Sequence, residues 1–450
     1  MNGGEPLPSL FSTEEMDGIF SFARQLQSMT RFEWGLNAAL EANGLAAAAS
    51  TRVLEGLLDA GFIEVRRLQE EAQQSGNLAI PFVRQLTGAV RARDPGAAAA
   101  IHLGATSQDL LDTALVLQMK DALTAVGRDL NRLEDGLLDQ VRVHAETLLA
   151  GRTLLQDAPP LTLGLKLAGF VEALRRHRER IEAAAGRALV LQFGGAVGTL
   201  AALGDKGAAV SAEVARRLDL REPRLPWHTH RDNLVELATC LALLTGTLGK
   251  LARDISLLMQ TEVGEVLEPG GEGRGGSSTM PHKRNPVASA IILAAAMRTP
   301  GLAATLLAAM VQEHERGLGG WHAEWETVPQ LFRLAAVALT RSIEIVAGLD
   351  VRPDRMIANL EATGGLVMTE AISVALSARM GRERAHALLE EAVARPEKEH
   401  RHLSEILAET PEVRACLAEA ELDRLFDPRT YLGRTREWIS RVTGDTDADR

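Results

Sequence analysis

LVELATCLALLTGTLGKLARDISLLM, residues 234–259, carries apolar side chains nearly all round its first half. A helix with that pattern must be buried on most sides. The helical period around it extends over roughly 231–266, and comparable stretches recur at 109–148, 160–186, 286–312 and 325–347. Few prolines interrupt them. Such lengths predict an all-α protein built on an elongated bundle, and five helices of this kind point to association between subunits.

Shorter amphipathic helices are expected near 31–43, 51–75 and 79–91, which sets an N-terminal helical domain at 1–104. The turn-rich GLDVRPDR (348–355) closes a central domain at 105–348 and leaves a C-terminal helical domain at 349–450. The charge run EEAVARPEKEHRHLSEIL (390–407) reads as a solvated helix face.

Aromatics make up only 4 % of the 450 residues, with one tyrosine, so aliphatic side chains must fill the core. A formal net charge of −11 argues against nucleic acid or an anionic membrane as partner. Cys240 and Cys416 lie far apart in helical segments and read as buried thiols, without disulfide or zinc spacing. MNGGEPLPSLF at the start lacks the layout of a signal peptide, and no run of ~18 apolar residues suggests a membrane span. A cytoplasmic setting is expected.

Beyond the first helix comes GGEGRGGSSTMPHKRNP (270–286), with five glycines among residues 270–276. That backbone freedom suits a mobile flap. Ser277, Ser278, His282, Lys283, Arg284 and Asn285 then supply donors for an anionic ligand. On composition alone, a solvated glycine loop with a chance basic cluster reads equally well. The phosphate-loop pattern GxxxxGK[ST] is absent. Two further strings stand out. HLGATSQDLLDT (102–113) places Thr106 and Ser107 where hydroxyls can cap a helix start or bind a carboxylate. GRTLLQDAPPLTLG (151–164) offers Arg152 and Gln156.

From Gly276 to Pro286 the chain is similar, without a gap, to the GSSxMPxKxNP signature of the fumarase/aspartase superfamily. The resemblance implies a three-domain all-α fold whose long-helix bundle associates into an oligomer core, a tetramer with sites built from several subunits. It implies Ser277 as the base that removes a proton beside a substrate carboxylate, with Lys283 catalytic and Asn285, Ser278 and Met280 in contact with substrate. The superfamily's TSxDxxxT pattern implies that Thr106 and Ser107 hold carboxylate oxygens, and His102 aligns with a histidine of some members, adenylosuccinate lyases among them. Arg152 and Gln156 are likewise implied substrate-binding residues. Neither metal nor organic cofactor is implied.

One departure carries the most information. The GRTHxQxAxPxTxG region of the superfamily supplies a histidine where this chain has Leu154, and the glutamate that partners it falls at Ala290. That pair protonates amine or hydroxide leaving groups. A carboxylate leaving group needs no proton, because its conjugate acid has a pKa of about 4. Loss of both halves resembles the superfamily's cycloisomerase branch, in which a substrate carboxylate closes a lactone onto a double bond, and the likeness runs over about 25–435. The implied substrate is a small anionic tricarboxylate. Asp157 stands where that branch tends to have histidine, which reverses the local charge. Adenylosuccinate lyases, a sulfonate-bearing substrate and a non-catalytic structural relative remain the alternatives.

Overall fold

The computed structural model describes residues 10–270, 275–276, 280 and 283–445. Its long helices are α1 (Phe22–Ala42), α2 (Ser107–Val143), α3 (Leu163–Ala188), α4 (Asp232–Leu258), α5 (Val287–Ala309) and α6 (Gly320–Ala347). The all-α expectation holds, with helix ends displaced by a few residues. α4 stops at Leu258 instead of running to 266, because the chain turns through Gly264 at φ 62°, whose N–H donates to the Gln260 carbonyl. The helix expected over 51–75 is two, Ser50–Glu55 and Val65–Ser75. Between them Ala60 sits at φ 60° and Asp59 accepts from the Gly61 N–H, which breaks the helical ladder.

One hairpin escaped the sequence reading. β1 (Leu148–Thr153) pairs antiparallel with β2 (Gln156–Thr162), in a register that sets Arg152 opposite Asp157. Two prolines argue against a strand here. They are accommodated because the register shifts between Ala150 and Gly151, a bulge that leaves Pro159 unpaired. The two-residue connection is Leu154–Leu155, both at positive φ (51° and 65°) and 98 % and 74 % exposed.

By contacts the described chain divides into two compact units, residues 1–130, 177–248 and 291–340 in the first, and 131–176, 249–290 and 341–450 in the second. The first unit packs one stripe of α1 (Leu26, Met29, Phe32, Leu36 and Leu40) against Phe82, Leu86, Phe193 and Leu218. Each fully buried side chain of this kind contributes roughly 1.5–3 kcal/mol. The second unit buries Leu148 and Ala150 of β1 with Leu360, Ile372, Leu376, Leu389 and Ile406. The charge run at 390–407 is divided among short helices, and Leu403, Ile406 and Leu407 from its end are fully buried. It is therefore not a solvated face throughout. Cys240 is buried and Cys416 only half-buried, so the second thiol corrects the expectation; both are unpaired.

Inside the first unit lies an ion triad almost wholly shielded from solvent. The Arg231 guanidinium, 0 % exposed, bonds Asp112 through Nη1 at 2.7 Å and Nη2 at 3.1 Å, and Glu324 through Nε at 3.0 Å. Trp321 Nε1 and Gln108 Nε2 also donate to Asp112, and the guanidinium lies 4.5 Å from the Trp227 ring centroid. Burial pushes the Glu324 carboxyl above its ordinary range despite Arg231 beside it.

α4 and α5 are long and apolar enough to cross a membrane by length and composition, where the sequence reading expected no such run. In α4 61 % of the most apolar window is buried within the protein, as in a core helix, against 28 % in α5.

Candidate active site

The N-terminus of α2 is fixed by Asp109, a carboxylate with no exposure. Its Oδ2 accepts from the Thr106 N–H (3.0 Å) and the Gly195 N–H (2.8 Å), and Oδ1 from Gly194 N–H (3.1 Å), Gln192 Nε2 (3.0 Å) and His228 Nε2 (2.7 Å). Asp109 occupies the third position of the helix and reaches back to the residue before it, as in a capping box. A side chain at position 194 would clash with Pro226 and His228, so only glycine brings this backbone to the carboxylate. The sequence reading gave the cap to the hydroxyls of Thr106 and Ser107; Asp109 caps instead. Both hydroxyls are half-buried and make no hydrogen bond among the described residues, which leaves them and the first-turn N–H groups for an anion.

His102 precedes this cap in a left-handed conformation, φ 60°. Its backbone N–H donates to Glu33 Oε2 at 3.0 Å, and its Nδ1 lies 2.6 Å from Glu33 Oε1. Burial alone pushes the imidazolium down; the charge and hydrogen bond of Glu33, with Asp109 beyond, outweigh it and raise His102 above its ordinary value.

In the second unit the hairpin presents Arg152, already paired with carboxylates. Its Nη1 and Nη2 grip both oxygens of the fully buried Glu265 at 2.9 and 2.6 Å, and Nε lies 3.4 Å from Asp157. Asn359 also donates to Glu265 at 2.8 Å. The hydrogen bond to Glu265 raises the Arg152 guanidinium further, so this cation stays committed. Arg152 thus anchors the hairpin on Glu265, and Asp157 finds its counter-charge across the strand pair. Gln156 is exposed, its amide 3.4 Å from the Leu155 carbonyl. Lys166, half-buried on the first turn of α3, is pushed below the ordinary lysine value by burial, with Lys250 and Arg152 adding to this.

The base of the glycine loop closes where the Asn285 N–H meets the Gly275 carbonyl at 2.9 Å, Gly275 taking φ 65°. Lys283 is exposed, Asn285 half-buried, and Met280 partly exposed. Arg284 ties the loop down through the Glu268 carbonyl (2.7 Å) and Asp350 (3.3 Å). The Glu268 side chain caps α5, accepting from the Ala288 N–H, the Ser289 N–H and the Ser289 hydroxyl at 3.0, 2.8 and 2.6 Å. Ser277, Ser278 and His282 lie outside the described residues. Among the described residues no group of histidine, cysteine and acidic side chains could hold a metal ion.

Residues 26–301 match the lyase family, and residues 365–442 match the adenylosuccinate lyase C-terminus. The chain belongs to the lyase family. It is 51 % identical to a 3-carboxy-cis,cis-muconate cycloisomerase of Pseudomonas aeruginosa, over 97 % of this chain and 95 % of that one. A nitrosuccinate lyase of Streptomyces davaonensis is 40 % identical over 86 % of this chain and 83 % of its own. Among solved structures, the 3-carboxy-cis,cis-muconate lactonizing enzyme of Pseudomonas putida superposes with a TM-score of 0.92 at 49 % identity, covering 97 % of both chains. This lyase-family enzyme therefore has the fumarase/aspartase fold that its loop signature implied.

The sequence reading missed Glu33, Glu265 and Glu268. Glu33 left a visible trace: it falls in the middle of the apolar stripe of α1, where a carboxylate needs a partner. Glu265 and Glu268 left none.

Proposed function

We propose that this lyase-family enzyme interconverts 3-carboxy-cis,cis-muconate and its lactone, a step in the breakdown of aromatic compounds. One substrate carboxylate forms a C–O bond to the conjugated double bond. The displaced electron pair moves onto the neighbouring carboxylate as an aci-carboxylate, and the carbon between takes a proton from Ser277. Solvent then returns a proton to the Ser277 alkoxide; in reverse, Ser277 removes the carbon-bound proton, passes it to solvent, and the ring carboxylate leaves with the C–O electron pair. Lys283 and loop N–H groups stabilise the aci-carboxylate as an oxyanion hole does. Thr106, Ser107, His102, Gln156, Ser278, Met280 and Asn285 hold the remaining substrate groups, with Arg152 aligning the hairpin through Glu265.

The observation that carries this reading is the pair Leu154 and Ala290, an exposed leucine at the hairpin tip and an exposed alanine on the first turn of α5. Neither can protonate a departing amine or hydroxide; a carboxylate needs no such help. Purified enzyme is expected to consume 3-carboxy-cis,cis-muconate, followed by loss of its absorbance, and to leave fumarate, malate, aspartate, argininosuccinate and adenylosuccinate unchanged. Robust cleavage of adenylosuccinate, the reading favoured by the match at 365–442, would overturn the assignment. A sulfonated muconate run beside it separates the two possible substrates by their kcat/KM.

The setting we propose is a cytoplasmic homotetramer with three domains per chain and sites shared between subunits. Support comes from the open apolar side of α5 and from two leucines exposed at one hairpin tip. Mixing inactive Ser277→Ala and Thr106→Ala proteins, under conditions where subunits exchange, is then expected to restore part of the activity through hybrid sites. Absence of complementation would place each site within one chain.

A further inference from the structure

Glu33 is a carboxylate 1 % exposed, set in the apolar stripe of α1, and no lysine or arginine bonds to it among the described residues. A buried carboxylate without a counter-charge is strongly unfavourable. Its two oxygens are instead spent on one residue: Oε2 takes the His102 backbone N–H at 3.0 Å and Oε1 the ring Nδ1 at 2.6 Å. The same residue holds a φ of 60°, a conformation that a non-glycine residue keeps only where its surroundings dictate it. The ring's other nitrogen, Nε2, has no partner among the described residues. Four and five residues further on stand the unused hydroxyls of Thr106 and Ser107, at the N-terminus of α2.

We propose that Glu33 is a positioning residue: through Nδ1 it fixes the imidazole of His102 so that Nε2–H binds a substrate carboxylate beside Thr106 and Ser107. This pairing gives the buried carboxylate both a hydrogen-bond donor and a counter-charge. The charged groups that act on the ring are Glu33 from α1 and Asp109 from α2, both negative, and both favour the imidazolium. Holding the ring by Nδ1 leaves the single donor Nε2–H, so the dyad supplies a directed positive charge instead of a proton shuttle. The inference rests on the polycarboxylate substrate proposed above. It also assigns a task to a carboxylate that contacts no substrate itself.

The test compares wild type, Glu33→Gln, His102→Gln and the double variant, using tricarballylate as a tricarboxylate probe by calorimetry and 3-carboxymuconate by steady-state kinetics. At pH 7.5 Glu33→Gln is expected to weaken tricarballylate binding and raise KM about tenfold, the scale of one lost charge-assisted hydrogen bond, with kcat changed far less. At pH 5.5 the difference should be smaller than at pH 7.5, because the imidazole needs less help from Glu33 to hold its proton as the pH falls. Adding Glu33→Gln to His102→Gln should cost nothing more. Histidine-selective NMR supplies a measurement that needs no Glu33 variant to fold: in wild type His102 should titrate above an ordinary histidine, and higher again with tricarballylate bound. Wild-type binding and pH dependence in Glu33→Gln would overturn the proposal. So would a His102 that titrates normally, or a wild type that fails to bind tricarballylate at millimolar concentration. If tricarballylate binding depends on Glu33 but 3-carboxymuconate is not consumed, the reaction assigned above fails and the dyad stands.

Discussion

Ser277→Ala is expected to turn over about 10²–10⁴-fold more slowly than wild type, the usual worth of a positioned general base, while folding and tricarballylate binding stay nearly unchanged. The argument combines position and setting. Ser277 follows the glycine run, and both ends of its loop are held: Asn285 closes on Gly275, and Arg284 is anchored on Glu268 and Asp350. A hydroxyl is a poor base unless its alkoxide is stabilised, which is the task proposed for the basic run 282–284 in a chain whose net charge is −11. Steady-state kinetics with an independent binding measurement separates loss of chemistry from loss of affinity. More than about a tenth of wild-type turnover remaining in the variant would take serine 277 out of the base role and pass it to Ser278.

The largest expected effect on stability is at Arg231. Arg231→Met should destabilise the protein by about 3–5 kcal/mol, because Asp112 and Glu324 would remain buried without a counter-charge. Denaturant unfolding measures it. The sign of the pH dependence follows from Glu324, whose carboxyl is already held above its ordinary value by burial. Stability tied to a raised carboxyl is present at low pH and is lost as pH rises through the folded value. The variant's deficit should therefore be smaller near pH 5 than near pH 8. Replacing Asp112 and Glu324 as well by apolar residues of similar volume should recover only part of the loss, because the charges go but the buried Trp321 Nε1 then lacks its acceptor. A deficit below about 1 kcal/mol would mean that water or rearrangement neutralises the site.

How much of this was legible in the chain depends on distance along it. α2 to α6 were readable because long apolar periodicity is a local property, repeated turn after turn. The loop at 276–286 and the strings at 102–113 and 151–164 were readable because their residues are contiguous. The partners were not. Glu33 meets His102 across 69 residues and Glu265 meets Arg152 across 113, and nothing in the spacing couples them. Arg152 shows the same limit: its charge is visible in sequence, its pairing with Glu265 is not. The hairpin failed on local signals, since Pro159 and Pro160 speak against strands and Leu-Leu against a tight turn.

That turn bears on how a reaction can change within one fold. Both tip residues take positive φ, a strain that glycine avoids and that asparagine, aspartate and histidine bear somewhat more readily than other side chains. With Leu154 almost wholly exposed, its side chain adds little to the folding of its own subunit. Exchange of histidine for leucine at such a place costs the fold little, and on the function proposed above it removes a proton donor from the chemistry. Position 154 is thus a point at which new activities can be tried without first securing extra stability elsewhere, and the hairpin serves as an interchangeable tool tip on an unchanging handle.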